Sequence, residues 1–194
     1  MEPFFIAMAV IGMAELGDKT QLLALVLANR TRRPLAVAAG MVIALLLMHS
    51  LAAFTGAALD RFLPDRTMNW AVGIGFVGMA LWMARSRGHS ESEVEAVPKK
   101  RNAFLTALMV FCLLEFGDKS QLATVGLSIA LEPTWLVGLG AAAGGIAVNL
   151  PVIWLGYKLQ RRIPDLLCHW LASLLFLLVG LWILTAQIQA TLQP

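Results

Sequence analysis

A chain of 194 residues that is 59% hydrophobic and only 14% charged departs far from a soluble domain, where about a quarter of residues carry charge. Its formal charge of +3 invites a nucleic-acid reading. The basic residues, however, fall in short loops between apolar runs, which is a pattern of membrane orientation, so composition excludes nucleic acid as a partner and makes a lipid bilayer the expected surroundings.

Met1-Glu-Pro-Phe-Phe5 lacks the basic stretch of a signal peptide. The apolar run it opens is expected to stay in the mature protein as a first spanning helix. Such a helix needs about 20 mostly apolar residues, and six segments qualify: 4–28, 35–59, 68–84, 104–131, 134–159 and 167–188. The expected fold is an all-α integral membrane protein. Pro34, Pro64, Pro133 and Pro164 lie at or near segment ends, where a missing N–H is harmless. Asp60, Asp65 and Asp165 also lie at segment ends and are expected in solvated loops. Gly73-Ile-Gly-Phe-Val-Gly78 matches a nucleotide fingerprint, but no strand precedes it, so it reads as helix packing. Gly140-Ala-Ala-Ala-Gly144 reads the same way, and Pro151 is expected to kink the fifth segment near Asn149. Cys112 and Cys168 have no ligand or redox spacing and read as packing residues.

The one long polar stretch, 85–102, carries Ser-Glu-Ser-Glu-Val-Glu followed by Pro-Lys-Lys-Arg. It reads as a linker between two three-helix repeats, residues 1–84 and 103–194. On one side of the expected membrane lie Arg30, Arg32 and Arg33, then Arg85, Arg87, Lys99, Lys100 and Arg101, then Lys158, Arg161 and Arg162; the other side holds only Arg61 and Arg66. Positive charge marks the cytoplasmic side. The linker is thus expected in the cytoplasm and both termini outside.

Glu15-Leu-Gly-Asp-Lys-Thr-Gln21 recurs one hundred residues on as Glu115-Phe-Gly-Asp-Lys-Ser-Gln121. In the same ungapped register Phe4 matches Phe104, Gly40 Gly140, Gly56 Gly156, Pro64 Pro164, Trp70 Trp170 and Trp82 Trp182. Three spans per repeat make the second repeat enter the membrane in the opposite sense. That is an inverted-topology duplication, with a substrate site expected near mid-bilayer where the repeats meet.

Charged groups at that depth cost about 2.5–3.5 kcal/mol each and by default face a bundle interior. On a continuous helix Glu15 and Asp18 share a face, as do Glu115 and Asp118. Gly17 and Gly117 permit close helix approach or a local break that frees carbonyls. Thr20, Ser120, Gln21 and Gln121 add neutral oxygens, and such sets suit hard divalent cations. Four carboxylates with Lys19 and Lys119 leave two net negative charges, which one divalent cation neutralises. When the cation leaves, the acids repel one another, and protons are the natural replacement. The metal set is therefore Glu15, Asp18, Glu115, Asp118, Gln21 and Gln121. Lys19, Lys119, Thr20, Ser120, His49 and Asn149 are accessory or proton-coupling candidates. Against this, the lysines serve equally as counter-ions of Asp18 and Asp118, the glutamines as interhelical glue, and His49 as a packing residue.

The duplicated Glu-x-Gly-Asp-Lys-[Thr/Ser] hexapeptide resembles the signature of the MneA-type manganese exporter family, whose relatives include Golgi calcium/manganese–proton antiporters. The resemblance covers essentially the whole chain. It implies exchange of Mn²⁺ or Ca²⁺ for protons, no permanently bound cofactor, and essential acids at Glu15, Asp18, Glu115 and Asp118. The compact chain and short linker resemble a bacterial inner-membrane member of the family, which favours Mn²⁺ efflux from the cytoplasm. A competing class is an intramembrane aspartyl protease with Asp18 and Asp118 as its dyad. Its Gly-x-Gly-Asp is only partly echoed, because Leu16 and Phe116 replace the first glycine.

Overall fold

The computed structural model describes residues 1–62, 65–85, 102–155 and 165–192. Eight helices and no strand occur among them: α1 (Glu2–Glu15), α2 (Lys19–Thr31), α3 (Pro34–Asp60), α4 (Asp65–Arg85), α5 (Ala103–Glu115), α6 (Lys119–Ala130), α7 (Thr134–Leu155) and α8 (Asp165–Leu192). Pro34 occupies the first turn of α3, and Pro133 immediately precedes α7. Pro64, Pro164, the linker from 86 to 101 and the basic loop from 158 to 162 lie outside the described residues. Asp60, Asp65 and Asp165 are helix-terminal residues rather than loop residues.

Two of the six expected spans are not continuous helices. The first is α1 plus α2 and the fourth is α5 plus α6, each interrupted for three residues inside the acidic motif. Gly17 and Gly117 sit at φ +73° and +74°, a left-handed conformation that glycine adopts without steric cost. Leu16 and Phe116 before them are extended. The i, i+3 relation expected of Glu15 with Asp18, and of Glu115 with Asp118, is therefore lost. In each repeat the glutamate ends one half-helix, and the aspartate caps the next.

By length and apolarity alone, three helices can cross a membrane: Pro34–Asp60, Thr134–Trp154 and Ser173–Thr191. Trp70–Trp82 and Ala103–Glu115 are shorter apolar helices. Leu47, Leu51, Phe54, Ile74, Leu81, Met109 and Leu113 are all more than half exposed, an exterior suited to hydrocarbon rather than water. Trp135 and Trp154 are exposed at the two ends of α7. Nineteen residues of helix separate them, about 28 Å of rise, which is close to the thickness of a bilayer core.

The repeats interlock. A Cβ at Gly140 would strike the Phe4 carbonyl, and one at Gly144 the backbone of Met8 and Gly12, so the small-residue stripe of α7 brings α1 into backbone contact. In register, Gly40 of α3 meets the Phe104 carbonyl of α5. Gly73 of α4 packs on Gly180 and Leu184 of α8, and Ser173 of α8 donates to the Ala80 carbonyl at 2.7 Å. The rings of Phe76 and Phe176, also one hundred residues apart, stack edge-to-face with centroids 5.6 Å apart. These contacts fix relative directions. Along α1 the partners on α7 advance from 140 to 144, so the two run parallel. Gly138 meets Ser50 and Ala53, whereas Gly145 meets Leu45 and His49, so α7 runs antiparallel to α3.

The apolar core forms two clusters. One joins α1, α4, α6, α8 and the start of α7 through Ile11, Phe76, Leu127 and Phe176. The other joins α2, α3, α5 and the end of α7 through Leu27, Leu45, Phe111 and Ile153. Each broken segment passes from one cluster to the other, so both motifs lie on the boundary between them.

Candidate metal centre

The left-handed glycine turns the chain between half-helices, and the motif's own side chains stabilise that turn. Gly17 N–H donates to Gln21 Oε1 at 3.2 Å, and Gly117 N–H to Gln121 Oε1 at 2.6 Å. Both glutamines therefore turn their oxygens onto the backbone of the break. Gln21 also donates through Nε2 to the Val148 carbonyl at 3.5 Å, an interhelical bond of the kind expected of it. Asp118 caps α6 by accepting from Ser120 N–H.

The hydroxyls serve the glutamates. Thr20 Oγ1 donates to Glu15 Oε2 at 2.9 Å, and Ser120 Oγ to Glu115 Oε2 at 3.1 Å. The other oxygen of each carboxyl, Oε1 of Glu15 and Oε1 of Glu115, is buried with no hydrogen-bond partner among the described residues. One oxygen each from Glu15, Glu115 and Asp118 lie within 4.8 Å of one another. A hard divalent cation holds its oxygens at about 2.3–2.6 Å, so oxygens ringing one ion lie up to about twice that apart. The span fits. A buried, unsatisfied carboxylate oxygen costs energy, and a cation held among the three acids would relieve it.

Asp18 is placed differently. Its Oδ1 lies 3.1 Å from Lys119 Nζ, a buried ion pair between the first repeat's aspartate and the second repeat's lysine. The counter-ion role expected of Lys119 is thus realised across the repeat boundary. The Lys19 side chain lies outside the described residues. Of the four acids expected to surround a metal, three converge within 4.8 Å, and the fourth, Asp18, pairs with Lys119.

His49 on α3 and Asn149 on α7 are both fully buried. His49 Nδ1 lies 2.9 Å from Thr124 Oγ1, and Thr124 in turn donates to the Ser120 carbonyl at 2.8 Å. Thr124 escaped the motif-based reading because it lies outside the hexapeptide. The repeat register carries its signal. Position 24 holds Ala where 124 holds Thr, and position 149 holds Asn where 49 holds His. Thr124 and His49, one from each of these departures, touch each other.

The family model described as "Divalent cation/proton antiporter GDT1" matches residues 3–91 and again residues 103–191, one match per repeat. The chain is 32% identical over 183 residues to a protein of Vibrio cholerae named "Putative manganese exporter", covering 93% of this chain and 90% of that one. It is 28% identical over 226 residues to GDT1-like protein 5 of Arabidopsis thaliana, with 98% of each covered. It is also 28% identical over 194 residues to a GDT1-like protein of Synechocystis, covering 90% of this chain and 93% of that one. No solved structure matches.

Proposed function

The chain belongs to the GDT1 family of divalent cation/proton antiporters, and from that premise we propose that it exports Mn²⁺ from the cytoplasm in exchange for protons. It is a transporter and not an enzyme. The aspartyl-protease alternative also fails on chemistry, since Lys119 occupies the Asp18 carboxylate that would have to share a proton with its partner.

One observation carries the reading. Glu15, Glu115 and Asp118, drawn from both repeats, approach within 4.8 Å, and each glutamate keeps one buried oxygen unpartnered among the described residues. Three acids so close need a counter-charge. A divalent cation supplies it in one loading state and protons in the other, which is the requirement of antiport. The manganese assignment draws on the name of the Vibrio relative. The all-oxygen character of the cluster favours Ca²⁺/H⁺ exchange as the second reading.

In this proposal the chain crosses a bacterial inner membrane six times, with both termini outside and the linker in the cytoplasm. The two broken segments count as one span each. Parallel α1 and α7, with α3 antiparallel to both, support it, because first and fifth spans of an alternating chain run one way and the second the other.

The test is a panel of Mn²⁺, Ca²⁺, Mg²⁺ and Zn²⁺ in proteoliposomes with an imposed pH gradient. Mn²⁺ should move against its gradient when protons run down theirs in the opposite direction. Glu15→Gln or Asp118→Asn should abolish that flux, and cells carrying either variant should lose tolerance to excess manganese. Flux indifferent to the pH gradient, or variants that still protect, would refute exchange at this cluster.

A further inference from the structure

His49 on α3 and Asn149 on α7, which both border Gly145, carry chemistry that the acidic cluster leaves unused. Thr124 Oγ1 commits its only proton to the Ser120 carbonyl. The arrangement that satisfies both contacts of Thr124 has His49 Nδ1–H donating to its hydroxyl at 2.9 Å, which leaves Nε2 with a lone pair. Nε2 is buried with no partner among the described residues. Asn149 Nδ2 donates to the Gly145 carbonyl at 2.9 Å, and its Oδ1 is likewise buried and unpartnered. Both groups border Gly145: a Cβ there would stand 3.8 Å from His49 Nε2, while Asn149 closes onto that residue's own carbonyl.

A neutral imidazole held in one tautomer through its far nitrogen is how proteins prepare a histidine to ligate metal. Two acceptors cannot satisfy each other, and each left bare costs about 1–3 kcal/mol. A cation seated between them at Gly145 would satisfy both. His49 stands outside the group of oxygens that converge within 4.8 Å, so it is no fourth wall of that cluster. It adjoins it: Thr124 lies one turn from Ser120, and Gln21 of the first motif bonds Val148, next to Asn149.

Resting on the transport reading and deepening it, we propose that His49 Nε2 and Asn149 Oδ1 form a second station for the transported cation. This station selects first-row transition-metal ions, Mn²⁺ among them, over Ca²⁺. Carboxylates serve both ions, whereas an imidazole nitrogen adds affinity for first-row divalent ions, least for Mn²⁺ among them, and Ca²⁺ takes oxygen alone. Selection therefore falls to the one nitrogen ligand of the station.

Purified full-length protein loaded with Mn²⁺ should show ¹⁴N imidazole coupling by electron spin-echo spectroscopy, and His49→Asn should remove it. In proteoliposomes the same substitution makes the station all-oxygen. The ratio of Mn²⁺ to Ca²⁺ flux should then fall roughly tenfold or more, the scale on which lost metal contacts act, with Ca²⁺ flux retained. An unchanged ratio, an equal loss of both ions, or a wild-type spectrum without nitrogen coupling overturns the proposal; the last two are the outcomes of a packing role and of a buried water bridging the two acceptors. The spectrum of the wild type decides even if His49→Asn fails to fold. Wild-type vesicles that move neither ion would sink the transport reading, and this one with it.

Discussion

Thr20 and Ser120 each hold one glutamate oxygen and leave the other bare, so a single hydroxyl sets the orientation of each carboxyl. Ser120→Ala removes that restraint without touching charge. The Mn²⁺ concentration at half-maximal flux should rise about 10- to 100-fold, on the scale of lost outer-shell partners, with maximal flux little changed. Ser120→Thr should restore the wild-type value, because the first repeat uses Thr at that position. A fall in maximal flux alone would assign Ser120 to another step. Lys119 poses a different question, since its pair with Asp18 is buried. Lys119→Met strips that counter-ion from a carboxylate inside the protein and should cost about 3–5 kcal/mol, read as denaturant unfolding in detergent. Asp18→Asn with Lys119→Met should recover most of it, and a double variant no better than the single would show that the pair is not the cause. The identities of these groups were legible from the duplicated motif, because charges within apolar runs are too costly to face lipid and must meet one another inside the bundle. Their partners were not. A contact across the repeat boundary joins Asp18 to Lys119, and no local spacing reports which aspartate a lysine one hundred residues away will reach.

At the scale of elements, the breaks in the first and fourth segments matter most, and hydropathy could not see them. Apolar residues flank both motifs, so a window of about 20 residues averages straight across. Only the glycine between Leu16 and Asp18, and between Phe116 and Asp118, hinted that a break was one of two options. The unbroken helices α3 and α8 followed their apolar runs closely, because nothing inside those runs asks for an irregular backbone. Gly117 isolates the conformational requirement: its φ is +74° and a Cβ there would meet nothing within 4 Å. Substitution is therefore strained by the backbone alone. Gly117→Ala should destabilise by about 1–2 kcal/mol, Gly117→Asn by less because Asn visits this region more readily, and Gly117→Val by more because a β-branched residue does so rarely. Mn²⁺ flux should rank in the same order. If Ala and Val performed as well as Gly, the left-handed break would have no part in shaping the site.

At the scale of the whole molecule, both apolar clusters among the described residues draw on both repeats. α1 lies on α7, α5 on α3 and α4 on α8, through glycines that admit backbone and would admit nothing larger at Gly40, Gly140 and Gly144. Phe76 reaches its repeat counterpart Phe176 directly, and the acidic cluster takes members from both halves. Duplication was plain in the hundred-residue register, but the interlocking was not, since sequence periodicity says which residues are equivalent and not which of them touch. The prediction follows from the contacts. A chain cut within residues 86–101 should yield halves that are degraded or aggregated when expressed alone, because each exposes the faces that Gly40 and Gly140 dock. Coexpressed, they should assemble and regain Mn²⁺/H⁺ exchange, since every pairing above joins residues on opposite sides of the cut. Two copies of the first half should not substitute for the pair. They would duplicate Glu15 but supply no Thr124 to fix the His49 tautomer, and Ala24 in its place offers no side-chain hydrogen bond. Exchange restored by the first half alone, measured as pH-driven Mn²⁺ flux in vesicles, would show that the divergence between the repeats is dispensable and that transport needs only the symmetric acids.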